Sequence, residues 1–116
     1  MDILEGLGSI GIDLETVLQR FSNNAALLER FVLKFPKDET YKALKQAVEE
    51  KDYELIEREA NTLKGTAANL GFDLLSEKAA EMVEKVRKND YADLEPVFEA
   101  LSEEYSKIIA VIESNG

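Results

Sequence analysis

The stretch from Asp52 to Gly71 reads DYELIEREANTLKGTAANLG, and the rest of the chain is organised around it. Its apolar residues recur in alternating steps of four and three, which places them in one narrow stripe along a helix. The members of this stripe are Ile56, Ala60, Leu63, Ala67 and Leu70. Asp52 can cap the first turn by accepting a hydrogen bond from a free backbone N–H group. Gly71 stands where a left-handed residue commonly follows a helix. The stretch therefore predicts an amphipathic helix with both ends marked.

The flank away from the stripe has an unusual composition for a surface that needs only to be soluble. Its members are Glu57, Asn61, Lys64, Gly65 and Ala68. A glycine inside a helix costs roughly 0.5–1 kcal/mol relative to alanine. Taken alone, Lys64 is better explained as a solvated lysine of a helix. Gly65 and Ala68 together would leave a shallow hollow beside Asn61, where the backbone of a partner can come close. This flank is the candidate binding site of the chain.

The segments on either side show the same helical periodicity, and none has the period of two that strands require. Helix starts are predicted at Asp13, Ser22–Asn24, Asp38, Asp73 and Asp93, where a polar side chain can cap the first turn. The second of these helices carries the apolar residues Leu27, Leu28, Phe31, Val32 and Phe35. Pro36 is expected to end that helix, because the residue before a proline is displaced from the α region.

These patterns predict an all-α fold, an antiparallel four-helix bundle with a short additional N-terminal helix or segment. Short connections such as Lys51–Asp52 favour antiparallel neighbours. Residues 1–116 are expected to form a single domain, in which residues 1–11 are a flexible or short helical segment. Gly6, Gly8 and Gly11 formally match a dinucleotide-binding loop, but only five residues precede Gly6 and no strand pattern follows. We therefore do not expect a dinucleotide site.

Composition narrows the classes of function. The chain has 24 acidic and 14 basic residues, a net charge of −10, so nucleic acids and anionic membrane surfaces are disfavoured partners. It has no cysteine and no histidine, which removes thiolate nucleophiles, disulfides and the usual zinc ligands. No apolar run approaches the ~18 residues of a membrane span, and the first ten residues lack the pattern of a signal peptide. We expect a cytoplasmic protein without metal or cofactor.

Residues 60–71, ANTLKGTAANLG, resemble the signature of histidine-containing phosphotransfer (HPt) domains. In that family a helix reads alanine, histidine, any residue, leucine, lysine and glycine, followed by small residues and leucine–glycine. Every part is present in register except the histidine, whose position is taken by Asn61. The resemblance extends from about Ile12 to Ile112 and includes the turn at residues 87–90, RKND. The bundle predicted from periodicity is also the fold of this family.

The resemblance implies a module of two-component phosphorelay signalling that binds receiver domains. The expected partner is the receiver domain of a response regulator or of a hybrid sensor kinase, bound by a monomer through the flank of Asn61. As it stands the chain is not expected to be phosphorylated or to act as an enzyme, because an amide nitrogen is not nucleophilic. The sequence leaves open whether Asn61 is natural, as in a pseudo-phosphotransfer domain, or a substitution in a working domain.

Two other classes of function remain as alternatives. The chain can be a helical bundle for protein–protein assembly unrelated to phosphorelay, in which the flank that contains Gly65 and Ala68 pairs with another helix or with the same flank of a second copy. An enzyme would require a pocket and a perturbed ionisable group, such as Lys64 as an amine nucleophile. A bundle of this length offers no obvious room for such a closed pocket.

Overall fold

The computed structural model describes residues 2–115, and every regular element in this range is helical. The α-helices are α1 (Ile3–Ser9), α2 (Leu14–Arg20), α3 (Ala25–Lys34), α4 (Thr40–Glu50), α5 (Tyr53–Asn69), α6 (Asp73–Arg87) and α7 (Leu94–Asn115). A short 3₁₀ turn, Phe35–Lys37, follows α3. The all-α prediction is therefore confirmed for the described residues. None of these helices combines the length and the apolar character needed to cross a membrane.

The boundaries of α5 follow from the residues that mark them in the sequence. The carboxylate of Asp52 accepts a hydrogen bond of 3.2 Å from the backbone N–H of Leu55. All five residues of the predicted apolar stripe are buried. Gly71 has a φ of +82°, and a Cβ atom built there would overlap the side chain of Val17. Glycine thus ends the helix for two reasons, the left-handed backbone and the close approach of α2.

Helices α4 to α7 enclose most of the core. Helix α5 packs against both α4 and α6, α6 packs against α7, and α4 also contacts α7. The connection from α4 to α5 is only Lys51 and Asp52, and Lys51 is left-handed with a φ of 56°. Such short connections keep successive helices side by side. The buried residues include Leu44, Leu63, Leu75, Met82, Leu101 and Ile108.

The first three helices pack onto this core at different places. Helix α1 lies against α7, where a Cβ atom at Gly6 would come within 2.8 Å of Val111 Cγ1. Gly6 and Gly8 lie within α1 and not in a glycine-rich loop. Arg20, at the end of α2, donates a hydrogen bond of 2.6 Å from Nη1 to the carbonyl oxygen of Ala68 in α5. Helix α3 begins after Asn24, whose side chain accepts a hydrogen bond from the N–H of Leu27.

Helix α3 ends at Lys34, close to Pro36 as predicted, but the expected reason, a backbone displaced from the α region at Phe35, was wrong. Phe35 keeps α-helical angles, with φ −57° and ψ −45°, and the chain continues through the 3₁₀ turn that contains Pro36. Helical geometry is lost only at Asp38, whose ψ is 127°. The ring of Phe35 is buried, with its centroid 5.1 Å from that of Phe72 and 5.6 Å from that of Tyr105. We attribute the retained conformation to this packing, which overrides the local preference before proline.

Candidate functional site

The outward face of α5 contains some of the predicted site residues and leaves others at its margin. Asn61 and Gly65 are exposed, whereas Glu57, Lys64 and Ala68 are half-buried. The other exposed residues of α5 are Glu54, Arg58, Thr62 and Asn69. The exposed face is therefore rotated from the predicted flank, away from Glu57 and Lys64 and towards Arg58 and Asn69.

Two contacts explain this rotation, because both tie α5 to α6 on the side of Glu57 and Lys64. Arg87 of α6 donates a hydrogen bond of 2.9 Å from Nε to Oε2 of Glu57. Ser76, near the start of α6, donates a hydrogen bond of 2.9 Å from Oγ to the carbonyl oxygen of Lys64. Helix α6 thus covers this margin and leaves Asn61 at the edge of the open surface.

An open groove beside Asn61 is formed by α5 and the end of α6. We call it the Asn61 groove; its lining residues are Asp52, Glu54, Leu55, Glu57, Arg58, Asn61 and Arg87. Two guanidinium groups therefore lie in the same groove as the amide of Asn61. Arg58 is paired with its neighbour Glu59, at 3.3 Å, and its side chain is 73% exposed. Within residues 2–115, the side-chain amide of Asn61 makes no hydrogen bond.

A second groove lies on the other side of Gly65, between α5 and the segment formed by α3 and the 3₁₀ turn. We call it the Gly65 groove; its lining residues are Phe31, Lys34, Phe35, Asp38, Gly65, Thr66, Asn69 and Leu70. A Cβ atom built on Gly65 would meet nothing within 4 Å. The space above this glycine is therefore open to an approaching molecule.

The Phe31 ring gives the Gly65 groove an apolar edge. Phe31 is 42% exposed. Its ring contacts that of Phe21, with centroids 5.4 Å apart, and Lys34 Nζ lies 5.5 Å from its centroid. The ring stays exposed because the apolar side of α3 is wider than its contact with the core, which buries Leu28 and Val32.

Sequence reasoning missed Arg58, Arg87 and Phe31 as neighbours of Asn61 and Gly65. The spacing within α5 gives the angle of Arg58, about 60° from Asn61, and could have included it. Arg87 and Phe31 belong to other helices, and nothing in the spacing of α5 indicates which residues of α6 and α3 flank its open face. The site as a whole combines the apolar ring of Phe31, the open space above Gly65 and the cations Arg58 and Arg87, all beside the exposed face of α5.

The chemistry open to these residues is recognition by hydrogen bonds and charge. The amide of Asn61 can donate and accept hydrogen bonds but cannot attack a phosphoryl group, because its nitrogen lone pair is delocalised. Within residues 2–115 there is no group of three or more acidic side chains placed to hold a metal ion. Lys64 is half-buried, and within the same residues it has no carboxylate partner in an ion pair.

Comparison with known proteins places this geometry in a family. Searches of curated proteins and of solved structures give no significant match. The sequence model of the Hpt domain family matches residues 26–111, which contain all of α4, α5 and α6 and most of α3 and α7. Members of this family are phosphocarrier modules, not catalytic enzymes, and interact with receiver domains in phosphorelays. Because the match spans well over half of the sequence, the chain belongs to the Hpt domain family.

Proposed function

We propose that this chain is an Hpt domain that docks on a receiver domain and carries no phosphoryl group itself. The observation that carries the proposal is the position of Asn61. Asn61 is exposed at the centre of α5, at the position where the family signature has its histidine. The chain contains no histidine. The reaction of the family needs a ring nitrogen with a free lone pair near neutral pH. The carboxamide of Asn61 offers none, so the interaction with the partner remains while transfer is lost.

We also propose an arrangement of the helices that hold this site. Helices α4 to α7 are taken as an antiparallel four-helix bundle, with α1 as the short additional N-terminal helix, all within a single domain over residues 1–116. The packing of α5 on α4 and α6, and of α7 on α4 and α6, supports this arrangement. The bundle holds α5 along its length and leaves one face of that helix free.

The docking surface consists of Glu57, Asn61, Lys64, Gly65 and Ala68, extended by Phe31. The open space above Gly65 admits the backbone of a partner, and the exposed Phe31 ring beside it provides apolar area. Aromatic residues at the centre of an interface often contribute much of its binding energy. Lys64 and Arg58 add positive charge around Asn61, which steers a partner of opposite charge.

A titration with receiver domains tests the proposal. The ¹⁵N-labelled chain is mixed with purified receiver domains from the same organism, and the amide resonances are followed. We expect shifts to cluster on α5 around Asn61 and Gly65 and on adjacent parts of α3 and α6. Shifts confined to α7, or no shifts with any receiver, would contradict the docking surface.

The alternative function, assembly with another copy, has one observation in its favour. Phe31 and Leu33 are both about two-fifths exposed on α3. We nevertheless propose a monomer in the cytoplasm, since the docking surface serves a receiver domain. Sedimentation equilibrium without any receiver distinguishes the two functions. A stable dimer whose formation is lost in Phe31→Ala would favour assembly.

A further inference from the structure

The end of α2 contacts both sides of the Gly65 groove. Helix α5 forms one wall of this groove, and α3 with the 3₁₀ turn forms the other. Arg20 donates a hydrogen bond of 2.6 Å from Nη1 to the carbonyl oxygen of Ala68 on α5. The ring of the next residue, Phe21, contacts the ring of Phe31 in the opposite wall, with centroids 5.4 Å apart. Two successive residues thus join α2 to the two sides of one groove.

Few direct approaches between α3 and α5 hold the wall that contains Phe31. Within residues 2–115, the backbones of these two helices come close to each other at few points. The ring of Phe35 packs on that of Phe72, at a centroid distance of 5.1 Å, and so fixes this wall at the 3₁₀ turn. Phe31 lies one turn earlier and is 42% exposed, and Phe21 is the aromatic ring that packs against it. The position of the Phe31 ring therefore depends on support from Phe21.

The turn after Phe21 fixes α2 relative to α3. Ser22 and Asn23 are both left-handed, with φ angles of 56° and 57°. Such angles are unfavourable for a residue with a Cβ atom, less so for asparagine, and they persist where surrounding contacts impose them. The N–H of Asn23 donates a hydrogen bond of 2.7 Å to the carbonyl oxygen of Leu18. Helices α2 and α3 are therefore joined by a closed, hydrogen-bonded turn.

Helix α2 lies outside the part of the chain that matches the Hpt domain family. The match begins at residue 26, within α3. Both walls of the Gly65 groove are inside the matched residues, whereas Arg20 and Phe21 precede them. The shape of the groove thus depends on two residues that the family pattern does not include.

We propose that Arg20 and Phe21 are positioning residues that hold the two walls of the Gly65 groove at the separation a receiver domain requires. Arg20 holds the end of α5 through the carbonyl oxygen of Ala68, and Phe21 supports the ring of Phe31. Phe21 is buried, so it acts without touching the partner. A groove that is ordered before binding loses less freedom when the partner arrives. The proposal rests on the proposed function, because it names residues that shape the docking surface.

Isothermal titration calorimetry with a receiver domain that binds the wild type tests the proposal on Arg20→Ala and Phe21→Leu. The titrations are run at a temperature at which circular dichroism shows both variants to be folded. We expect each variant to raise the dissociation constant roughly three- to tenfold, because binding must then order a wall that the wild type already holds in place. In the free variants, the amide signal of Asn69 should shift in Arg20→Ala and the ring signals of Phe31 should shift in Phe21→Leu.

Phe98→Leu and Lys45→Ala are the matched controls. Phe98 is a half-buried aromatic residue of α7, Lys45 is an exposed cation of α4, and neither lines the Gly65 groove. Both controls should bind the receiver as the wild type does. An equal loss of affinity in Phe98→Leu and Phe21→Leu would assign the effect to lowered stability and overturn the proposal.

The remaining outcomes separate positioning from direct contact and from docking itself. Weak binding by Arg20→Ala with normal binding by Phe21→Leu would mean that Arg20 acts on the receiver by contact or charge, which overturns the proposal. Normal binding by both variants would overturn the positioning role and leave docking intact. Failure of the wild type to bind any receiver would overturn the proposed function as well.

Discussion

Arg20 and Ala68 are forty-eight residues apart in the chain, yet Nη1 of the arginine donates a 2.6 Å hydrogen bond to the carbonyl oxygen of the alanine. The same nitrogen lies 3.4 Å from the carbonyl oxygen of Asn69. These carbonyl groups belong to the last turn of α5, where the regular helical hydrogen bonds end, and that of Ala68 also accepts a hydrogen bond of 3.1 Å from the N–H of Gly71. A cation at this end also interacts favourably with the helix dipole. Arg20 thus joins α2 to the end of the helix that contains the candidate site.

Replacing Arg20 with alanine should loosen the last turn of α5. We expect the free energy of unfolding to fall by about 1 kcal/mol, since a charge-assisted hydrogen bond at an exposed position is lost. The amide protons of Leu70 and Phe72, which bond to the carbonyl groups of Thr66 and Ala67, should exchange faster with solvent. Hydrogen exchange followed by NMR measures this directly.

Arg30→Ala is the matched control for that experiment. Arg30 is an exposed arginine of α3 whose side chain makes no hydrogen bond within residues 2–115. Its removal should leave exchange at Leu70 and Phe72 unchanged. Equal acceleration in both variants would mean that the loss of any surface charge has this effect, and that the contact with Ala68 does not hold the turn.

Gly71 and Gly65 should respond to alanine in opposite directions. Gly71 has a φ of +82° and a neighbouring Val17 side chain that a Cβ atom would overlap. Gly71→Ala should therefore destabilise by about 2–3 kcal/mol. Gly65 is helical with open space around it, so Gly65→Ala should stabilise by about 0.4–1 kcal/mol. Urea unfolding of the two variants measures both changes, and changes of the same sign would contradict this assignment.

The pair formed by Tyr41 and Tyr105 predicts a loss of stability at alkaline pH. Their rings are stacked, with centroids 3.8 Å apart. Burial raises the pKa of Tyr105 above its ordinary value of 10.0, and the neighbouring Tyr41 adds to the rise. Because the folded state holds the phenolic proton more tightly, this contribution is complete below pH 10 and is lost as the pH rises through the folded pKa.

Tyr105→Phe isolates that contribution. The variant keeps a ring in the stack and has no phenol to ionise. We expect its free energy of unfolding to decline less than that of the wild type between pH 9 and about pH 11. Tyr41→Phe would alter the hydrogen bond from Tyr41 to Ser102, so it is the less suitable variant. Parallel curves for wild type and Tyr105→Phe would exclude a role for this ionisation.

The sequence predicts helix starts well where a polar side chain caps the first turn. Asp13, Asn24 and Asp52 all accept a backbone hydrogen bond at the position expected from the pattern. Asp73 and Asp93 are exceptions, because within residues 2–115 neither carboxylate accepts a backbone hydrogen bond, and Asp73 is itself the first residue of α6. Capping depends on residues within one turn, so the local sequence contains the information. The course of the chain at Phe35 depends instead on burial against distant rings, which no local rule includes.

The candidate site could be predicted only in part from the sequence, for a related reason. Periodicity places Asn61 and Gly65 on one side of α5, opposite the buried stripe. It gives angles around a single helix and no information on its neighbours. The positions of Arg87 and Phe31 beside that face follow from how α6 and α3 pack. The assignment of these residues to receiver binding remains a prediction.

Asn61→His should turn this chain into a phosphoryl acceptor. The imidazole provides the nucleophilic nitrogen that the carboxamide lacks. Histidine and asparagine have similar helix propensities and the position is exposed, so the fold should persist. Incubation with a receiver labelled on its aspartyl phosphate should place acid-labile label on the variant and none on the wild type.

Asn69→His provides a matched control, since it adds the same ring to an exposed position of α5 about 80° around the helix. It should take up no label. Labelling of the wild type would show that another residue accepts the phosphoryl group. Equal labelling of the Asn61→His and Asn69→His variants would show that position 61 has no special relation to the receiver.

Gly65→Gln separates the fold from docking at one residue. The glutamine side chain would enter open space, so the helix should remain folded. We expect no added stability from new contacts of this side chain with the protein. It would also fill the space between Asn61 and the Phe31 edge of the Gly65 groove, through which we expect the receiver to approach. Binding should weaken by at least about tenfold, which corresponds to about 1.4 kcal/mol. Calorimetry with a receiver domain and thermal unfolding should be measured on the same samples.

Thr62→Gln is the control for this last experiment, because it places the same side chain on an exposed part of α5 that lines neither groove. It should bind the receiver as the wild type does. If both glutamine variants bind normally, the receiver does not contact the open face of α5. If Gly65→Gln unfolds the protein while Thr62→Gln does not, then position 65 is packed against another element, and the docking surface must lie elsewhere. If Gly65→Gln is folded and binds weakly while Thr62→Gln binds normally, the receiver requires that position 65 has no side chain.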